Sequence, residues 1–215
     1  MSEYYPINLN LNQKKCLVVG GGKVAERKVK SLLLCGARVF VVSPALSAWL
    51  EEAVKEGKVT AFRRNYTTTD LENTFLVIGA TDDHEINDKV AEECSERNIL
   101  VNIVDQTAKC NFIVPAVIRQ GSLLISVSTE GKSPMLARRV REELEQFFGP
   151  EYSEFLDLLA DIREHVMKNV PEEEQRRDIY HRLVYSDIIE LLRDGQHEKV
   201  KERINHVLGS GWTQS

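Results

Sequence analysis

The chain predicts an α/β fold, in which a parallel sheet is followed by a β-hairpin and then by helices alone. Three observations carry that reading. Short apolar runs alternate with helical patterns as far as about residue 105, a glycine turn joins the first run to the first helix, and helical patterns alone fill the chain beyond residue 133. At 215 residues and 42% apolar, the chain can bury a sizeable core, so its stability needs no staples.

Lys15 to Val19 reads as the first strand. It runs into Gly20-Gly21-Gly22, where Gly20, Gly22 and Ala25 take the G-x-G-x-x-A spacing of a dinucleotide turn. The first glycine permits the bend, the second leaves room for a pyrophosphate, and the small third residue lets helix and strand pack closely. First-turn amides and the helix macrodipole favour phosphate there, and Lys23 and Val24 are placed to offer such amides. The sheet is therefore read as Rossmann-type.

The first helix is expected over Val24 to Cys35, with Val24, Val29, Leu32 and Leu33 toward the sheet and Gly36 just past its end. Arg38 to Val42 reads as the second strand, Leu46 to Lys55 as a helix ended by Gly57, and Val59 to Arg63 as the third strand. Phe75 to Gly79 is continuously apolar, as suits a parallel strand covered on both faces. Asp82 is expected to cap the next helix, with Glu85 reciprocating, and that helix reaches about Arg97. Leu100 to Val104 completes the sheet. Open α/β sheets bind ligands at the C-terminal ends of their strands, so Gly20, Ser43, Thr81 and Asp105 are expected to converge.

After Asp105 the alternation stops. Phe112 to Ile118 and Ser122 to Ser128 read as an antiparallel hairpin joined by Arg119-Gln120-Gly121. Ser133 caps a helix that Pro134 begins and that runs to about Phe148. Helical patterns follow at Tyr152 to Lys168, Glu172 to Tyr185, Asp187 to Arg193 and His197 to Leu208. Three parts result: a nucleotide domain at 1–112, a hairpin-and-helix region at 113–149, and a helical C-terminal domain at 150–215. A lone hairpin is marginal in water and leaves open edges, so a second copy is expected to complete it in a symmetric homodimer.

A net charge of -5 argues against general affinity for nucleic acid. Cys16, Cys35, Cys94 and Cys110 lie far apart, without C-x-x-C or zinc spacing, so free thiols in a reducing compartment, the cytoplasm, are expected. The sequence shows neither a signal-peptide pattern nor an apolar run long enough to span a membrane, and no membrane partner is expected. The histidines form no i, i+4 pair with one another or with cysteine, so no metal ligand set is expected.

The ribose end of the nucleotide site departs from pattern. NAD sites of this type place an acid about twenty residues past the glycine turn, whereas here the second strand ends in Val42-Ser43-Pro44-Ala45. Ser43 can hydrogen-bond a ribose, yet it repels a 2′-phosphate less than a carboxylate does. Arg63 and Arg64 either favour such a phosphate or form a solvated strand end. Local chemistry leaves NAD and NADP both open.

Five segments, in order, now stand together: Val18-Val19-Gly20-Gly21-Gly22-Lys23-Val24-Ala25-Glu26-Arg27-Lys28, Ala80-Thr81-Asp82-Asp83, Val101-Asn102-Ile103-Val104-Asp105, Phe112-Ile113-Val114-Pro115-Ala116, and Ser128-Thr129-Glu130-Gly131-Lys132-Ser133-Pro134 with Leu136-Ala137-Arg138. Across essentially the whole chain they resemble the precorrin-2 dehydrogenase family, the NAD-dependent module of sirohaem synthase. The resemblance implies oxidation of precorrin-2 to sirohydrochlorin, with a hydride passed to NAD and Asp105 as the base. It implies Gly20, Gly22, Lys23, Val24, Ser43, Pro44, Ala45 and Thr81 around NAD. The implied substrate is an octacarboxylate macrocycle, for which Ser128, Thr129, Lys132 and Arg138 are candidate contacts. Arg138, Arg139 and Arg141 have a plainer alternative, a solvated helix face paired with Glu142, Glu143 and Glu145.

Asp105 likewise has one, as a turn residue bonded to its own backbone. Cys110 is the thiol nearest Asp105 in sequence. Some family members also insert ferrous iron, so a bifunctional dehydrogenase and ferrochelatase stays open. So does a non-catalytic NAD-binding regulatory domain, which has no use for Asp105. The fused methyltransferase of larger members is not expected in a sequence ending at Ser215.

Overall fold

The computed structural model describes residues 4–209. The chain divides into two compact units, one up to Val114 and one from Pro115 onward. In the first, β1 (Lys15–Val19), β2 (Arg38–Val42), β3 (Val59–Phe62), β4 (Leu76–Gly79) and β5 (Leu100–Ile103) form one parallel sheet in the order β3-β2-β1-β4-β5. The winding reverses at β1. Its alternate residues feed both faces: Cys16 and Val18 join the core beneath α1 (Lys23–Leu34) and α2 (Ala48–Lys55), while Leu17 and Val19 join that beneath α3 (His84–Glu96). The expected Rossmann-type sheet is therefore observed, with β3, β4 and β5 each one residue shorter than the apolar runs suggest.

Helix α1 buries Ala25, Val29 and Leu32, spaced four and three residues apart on one stripe. Val24, expected toward the sheet, is instead 38% exposed, because one residue before Ala25 the helix has turned about 100° away. Two caps also correct the sequence reading. Ser47 accepts the Leu50 N–H, so α2 begins at Ala48 and not at Leu46. Asp83, not Asp82, caps α3, its carboxylate accepting the N–H groups of Glu85 (3.0 Å) and Ile86 (3.1 Å). With helical geometry starting at His84, only the residue before it reaches those second and third amides.

A 3-10 turn at Thr68–Leu71 precedes β4. Its Asp70 carboxylate is buried and held at 2.8 and 2.6 Å by both terminal nitrogens of Arg64. Arg63 pairs with Glu51 at 2.5 Å. Both arginines considered for a 2′-phosphate thus have carboxylate partners within this unit.

In the second unit β6 (Ala116–Gln120) and β7 (Leu123–Val127) form an antiparallel hairpin with Gln120 opposite Leu123, so Gly121-Ser122 makes the turn in place of the expected Arg119-Gln120-Gly121. The first hairpin strand starts at Ala116 and not at Phe112. Phe112 packs into the α1-side core of the first unit, and Pro115 has no N–H for a ladder. Ser133 caps α4 (Pro134–Glu145) by accepting the Leu136 N–H. The remaining helices, α5 (Glu151–Asn169), α6 (Glu173–Val184), α7 (Ile188–Arg193) and α8 (His197–Leu208), close around Phe155, Leu158, Ile162, Leu183, Ile188 and Ile204. Among the described residues no helix is long and apolar enough to cross a membrane.

Candidate functional site

Four strands of the first unit end on a single row. Val42, Val19, Gly79 and Ile103 are register partners across β2, β1, β4 and β5. The ladder continues one residue further, with Gly20, Ala80 and Val104 donating to the carbonyls of Val42, Val19 and Gly79. Ser43, Gly20, Ala80 and Val104 therefore leave the sheet side by side, followed by Pro44, Gly21, Thr81 and Asp105. Neighbouring strands lie about 4.8 Å apart, so the glycine turn after β1 and Asp105 after β5 are separated by about 10 Å.

The glycine turn is shaped by its neighbours. Gly20 has φ 120° and lies against Ala80. Gly21 is closer still to the loop after β2, where a Cβ would stand 1.9 Å from the Ala45 carbonyl oxygen and 2.8 Å from Ser43 Oγ. The Gly21 carbonyl accepts the Ser47 N–H at 2.8 Å, so Ser43 to Ser47 wraps round the glycines. Ser43 is buried and its hydroxyl donates to the Ala45 carbonyl at 2.7 Å, which leaves its oxygen lone pairs for a ligand. Gly22 is different. A Cβ there would meet nothing within 4 Å, so the α-carbon opens on free space directly before the amides of Lys23 and Val24. That opening, at the N-terminus of a twelve-residue helix, fits a dinucleotide pyrophosphate. Thr81 turns its hydroxyl toward the Asp83 N–H at 3.2 Å and its carbonyl toward the Asn87 side-chain amide at 2.9 Å.

Asp105 is exposed and takes a left-handed backbone, φ 61°, a conformation that Asp and Asn tolerate better than most residues. Half-buried Lys28, on the second turn of α1, senses its charge. Burial holds the Lys28 ammonium below its ordinary range and Arg27 adds to this, while Asp105 and Cys110 oppose them. Burial likewise raises the Cys110 thiol, against the Ile103 N–H and Lys28. His84 shares a 3.1 Å hydrogen bond with Gln106 beside Asp105. Among the described residues no group of three or more His, Cys, Asp or Glu is arranged to hold a metal ion.

Ser128, Thr129, Lys132 and Arg138 belong to the second unit. The loop before α4 bonds largely to itself: Ser128 Oγ accepts the Glu130 N–H at 3.0 Å, and Thr129 Oγ1 bridges the backbone of Ser133. Lys132 lies 3.9 Å from Glu130. Arg138, Arg139 and Arg141 pair with Glu142, Glu143 and Glu145 at 2.8, 2.8 and 2.6 Å, the i, i+4 arrangement the spacing allows. The exposed guanidiniums of Arg138 and Arg139 can exchange those partners for a ligand carboxylate at small cost, whereas Arg141 is largely covered.

Three residues with a part in this site escape the sequence reading. Gly21 is sterically required, although the motif leaves its position free. Lys28 looks like any helix lysine in sequence, and only the fold brings it within reach of the charges of Asp105 and Cys110. Asn111 fastens that loop to the sheet edge, as described below.

Comparison with known proteins bears on all of these parts. A putative NAD(P)-binding family matches residues 7–116, the sirohaem biosynthesis protein central family residues 120–146, and the sirohaem synthase dimerisation region residues 151–208. Siroheme synthase of Thioalkalivibrio sulfidiphilus is 38% identical over 209 residues, 97% of this chain and 43% of that protein. Siroheme synthase of Methylobacillus flagellatus is 37% identical over 206 residues, 96% of this chain and 44% of that protein. The chain thus spans less than half the length of these relatives. Among solved structures, SirC, precorrin-2 dehydrogenase, matches with a TM-score of 0.80 at 27% identity, covering 95% of this chain and 98% of that one.

Proposed function

We propose that this chain, which belongs to the putative NAD(P)-binding family, is a precorrin-2 dehydrogenase that uses NAD and yields sirohydrochlorin. The observation that carries the reading is the shared row of strand ends, which brings the glycine turn, with its open side at Gly22, and Asp105 to one edge of the sheet. NAD, when bound, supplies the hydride acceptor. The amides of Lys23 and Val24 hold its pyrophosphate, and Ser43, Pro44, Ala45 and Thr81 border its remaining parts. Asp105 takes the proton that leaves as the substrate loses a hydride, a role that rests on position, since positioned bases contribute about 10²- to 10⁴-fold.

Ser128, Thr129, Lys132 and Arg138 receive carboxylates of the octacarboxylate substrate, with arginine suited to bidentate pairing. We assign the nucleotide function to 1–112, the hairpin and its helix at 113–149 to assembly, and 150–215 to a helical domain. The match of residues 151–208 to a dimerisation region and the open edges of the β6–β7 hairpin support a homodimer. The four cysteines, all free thiols, support a reducing compartment, the cytoplasm.

The test is an anaerobic assay of purified protein with precorrin-2 and NAD. NADH formation is the expected result; a protein that binds NAD but leaves precorrin-2 unchanged would overturn the proposal in favour of a nucleotide-binding regulator.

A further inference from the structure

β5 is an edge strand, and side chains close its open edge. The outward-facing groups run from Ile99 to Ile103. Asn111 takes three of them: its side-chain oxygen accepts the Val101 N–H at 2.7 Å, its side-chain amide donates to the Ile99 carbonyl at 2.8 Å, and its own N–H donates to the Val101 carbonyl at 3.1 Å. Cys110 takes the next. Its Sγ accepts the Ile103 N–H at 3.1 Å, and its S–H has the carbonyls of Ile103 and Gln106 within 3.3 Å. Just past Asn111, the Phe112 carbonyl accepts the Asn102 side-chain amide at 3.1 Å. An unpaired edge would otherwise invite another strand.

This closure does more than satisfy an edge. The chain leaves β5 at Ile103 and returns to the same residue at Cys110, so Asp105 sits on a short loop whose two ends are fastened together. Its left-handed backbone at Asp105 costs free energy that the surrounding bonds must offset. We propose that Asn111 and Cys110 are positioning residues for Asp105, setting the direction of its carboxylate without touching the substrate. The inference rests on the reading of Asp105 as the base.

The test compares the purified full chain with Asn111→Ala, Cys110→Ala and Cys110→Ser, following amide hydrogen exchange of residues 103–111, the dissociation constant of NAD, and kcat and KM for precorrin-2. A displacement of about 1 Å can cost roughly a hundredfold in rate. Asn111→Ala and Cys110→Ala are therefore expected to speed exchange in the loop and to lower kcat between about tenfold and a hundredfold, with NAD affinity unchanged. Cys110→Ser, whose hydroxyl can take over both the acceptor and the donor role, is expected to restore much of kcat. A faster-exchanging loop with wild-type kcat overturns the inference and leaves the dehydrogenase reading standing. No turnover by the wild-type chain overturns both. A fall in NAD affinity matching that in kcat overturns it too, since the effect would then be on the fold of the nucleotide site.

Discussion

Gly20 runs so close to Ala80 that a Cβ at residue 20 would lie 2.2 Å from the Ala80 carbonyl oxygen. Backbone atoms on adjacent strands cannot give way by the ångström this needs, and φ 120° is barred to any L side chain. Gly20→Ala should therefore lower the melting temperature without any ligand. Gly22→Ala fills open space, so the free protein should melt as the wild type does and lose only the stabilisation by NAD. With NAD at 100 times its dissociation constant the wild type should gain about 2.7 kcal/mol. A full NAD shift in Gly22→Ala, read by scanning fluorimetry, would remove that glycine from the pyrophosphate site.

The base assignment is best tested with Asp105→Asn. Asparagine tolerates the left-handed backbone and keeps the size of the side chain, so stability should hold while kcat falls by about 10²- to 10⁴-fold. Asp105→Ala should lose the same activity and also about 1 kcal/mol of stability from the strained backbone. Wild-type turnover in Asp105→Asn would end the assignment.

Asp70 predicts a pH dependence of folding. Its burial would raise the carboxyl pKa, but the Arg64 pair and the Thr67 N–H outweigh that and hold it below the usual carboxylate range. A carboxyl lowered on folding stabilises the protein above its unfolded pKa of about 3.9, and that contribution fades as pH falls through the lower folded value. Asp70→Asn should flatten the acid limb of a urea-denaturation series below about pH 4 and cost about 2 kcal/mol at neutral pH. An unchanged acid limb would mean that Asp70 is already unpaired in solution.

Cysteine accessibility should divide the four thiols. Burial pushes Cys16 up to about 11 and Cys94 up to about 12, whereas Cys35 lies exposed just past the end of α1. Alkylation of the native protein at pH 8 should label Cys35 first and spare Cys16 and Cys94 until denaturant is added. Mass spectrometry of the digest reads the order directly, and early labelling of Cys94 would mean that α3 opens readily.

Local pattern determines what could be read before the structure. The central strands are legible because a parallel strand covered on both faces must be apolar throughout, as Cys16 to Val19 and Leu76 to Gly79 are. Asp82 and Asp83 are adjacent carboxylates, and only the dihedral angles of the first helical turn choose between them. Gly21 and Ala45 meet because the loop after β2 folds back on the glycines, a contact across 24 residues that no spacing rule contains. Asn111 reads as a polar loop residue in sequence. Its part in closing β5 depends on an edge strand lying alongside.

The pairing of β1 with β4 sets an order on biosynthesis. Val19 pairs with Val42 on one side, but its partner on the other side is Gly79, and the bend at Gly20 leans on Ala80. As a nascent chain leaves the ribosome, the glycine motif emerges some sixty residues before the backbone it must rest against. Until then the emerging segment is an apolar strand with one side unpaired, so nucleotide cannot assist the earliest steps of folding and can trap only the finished sheet.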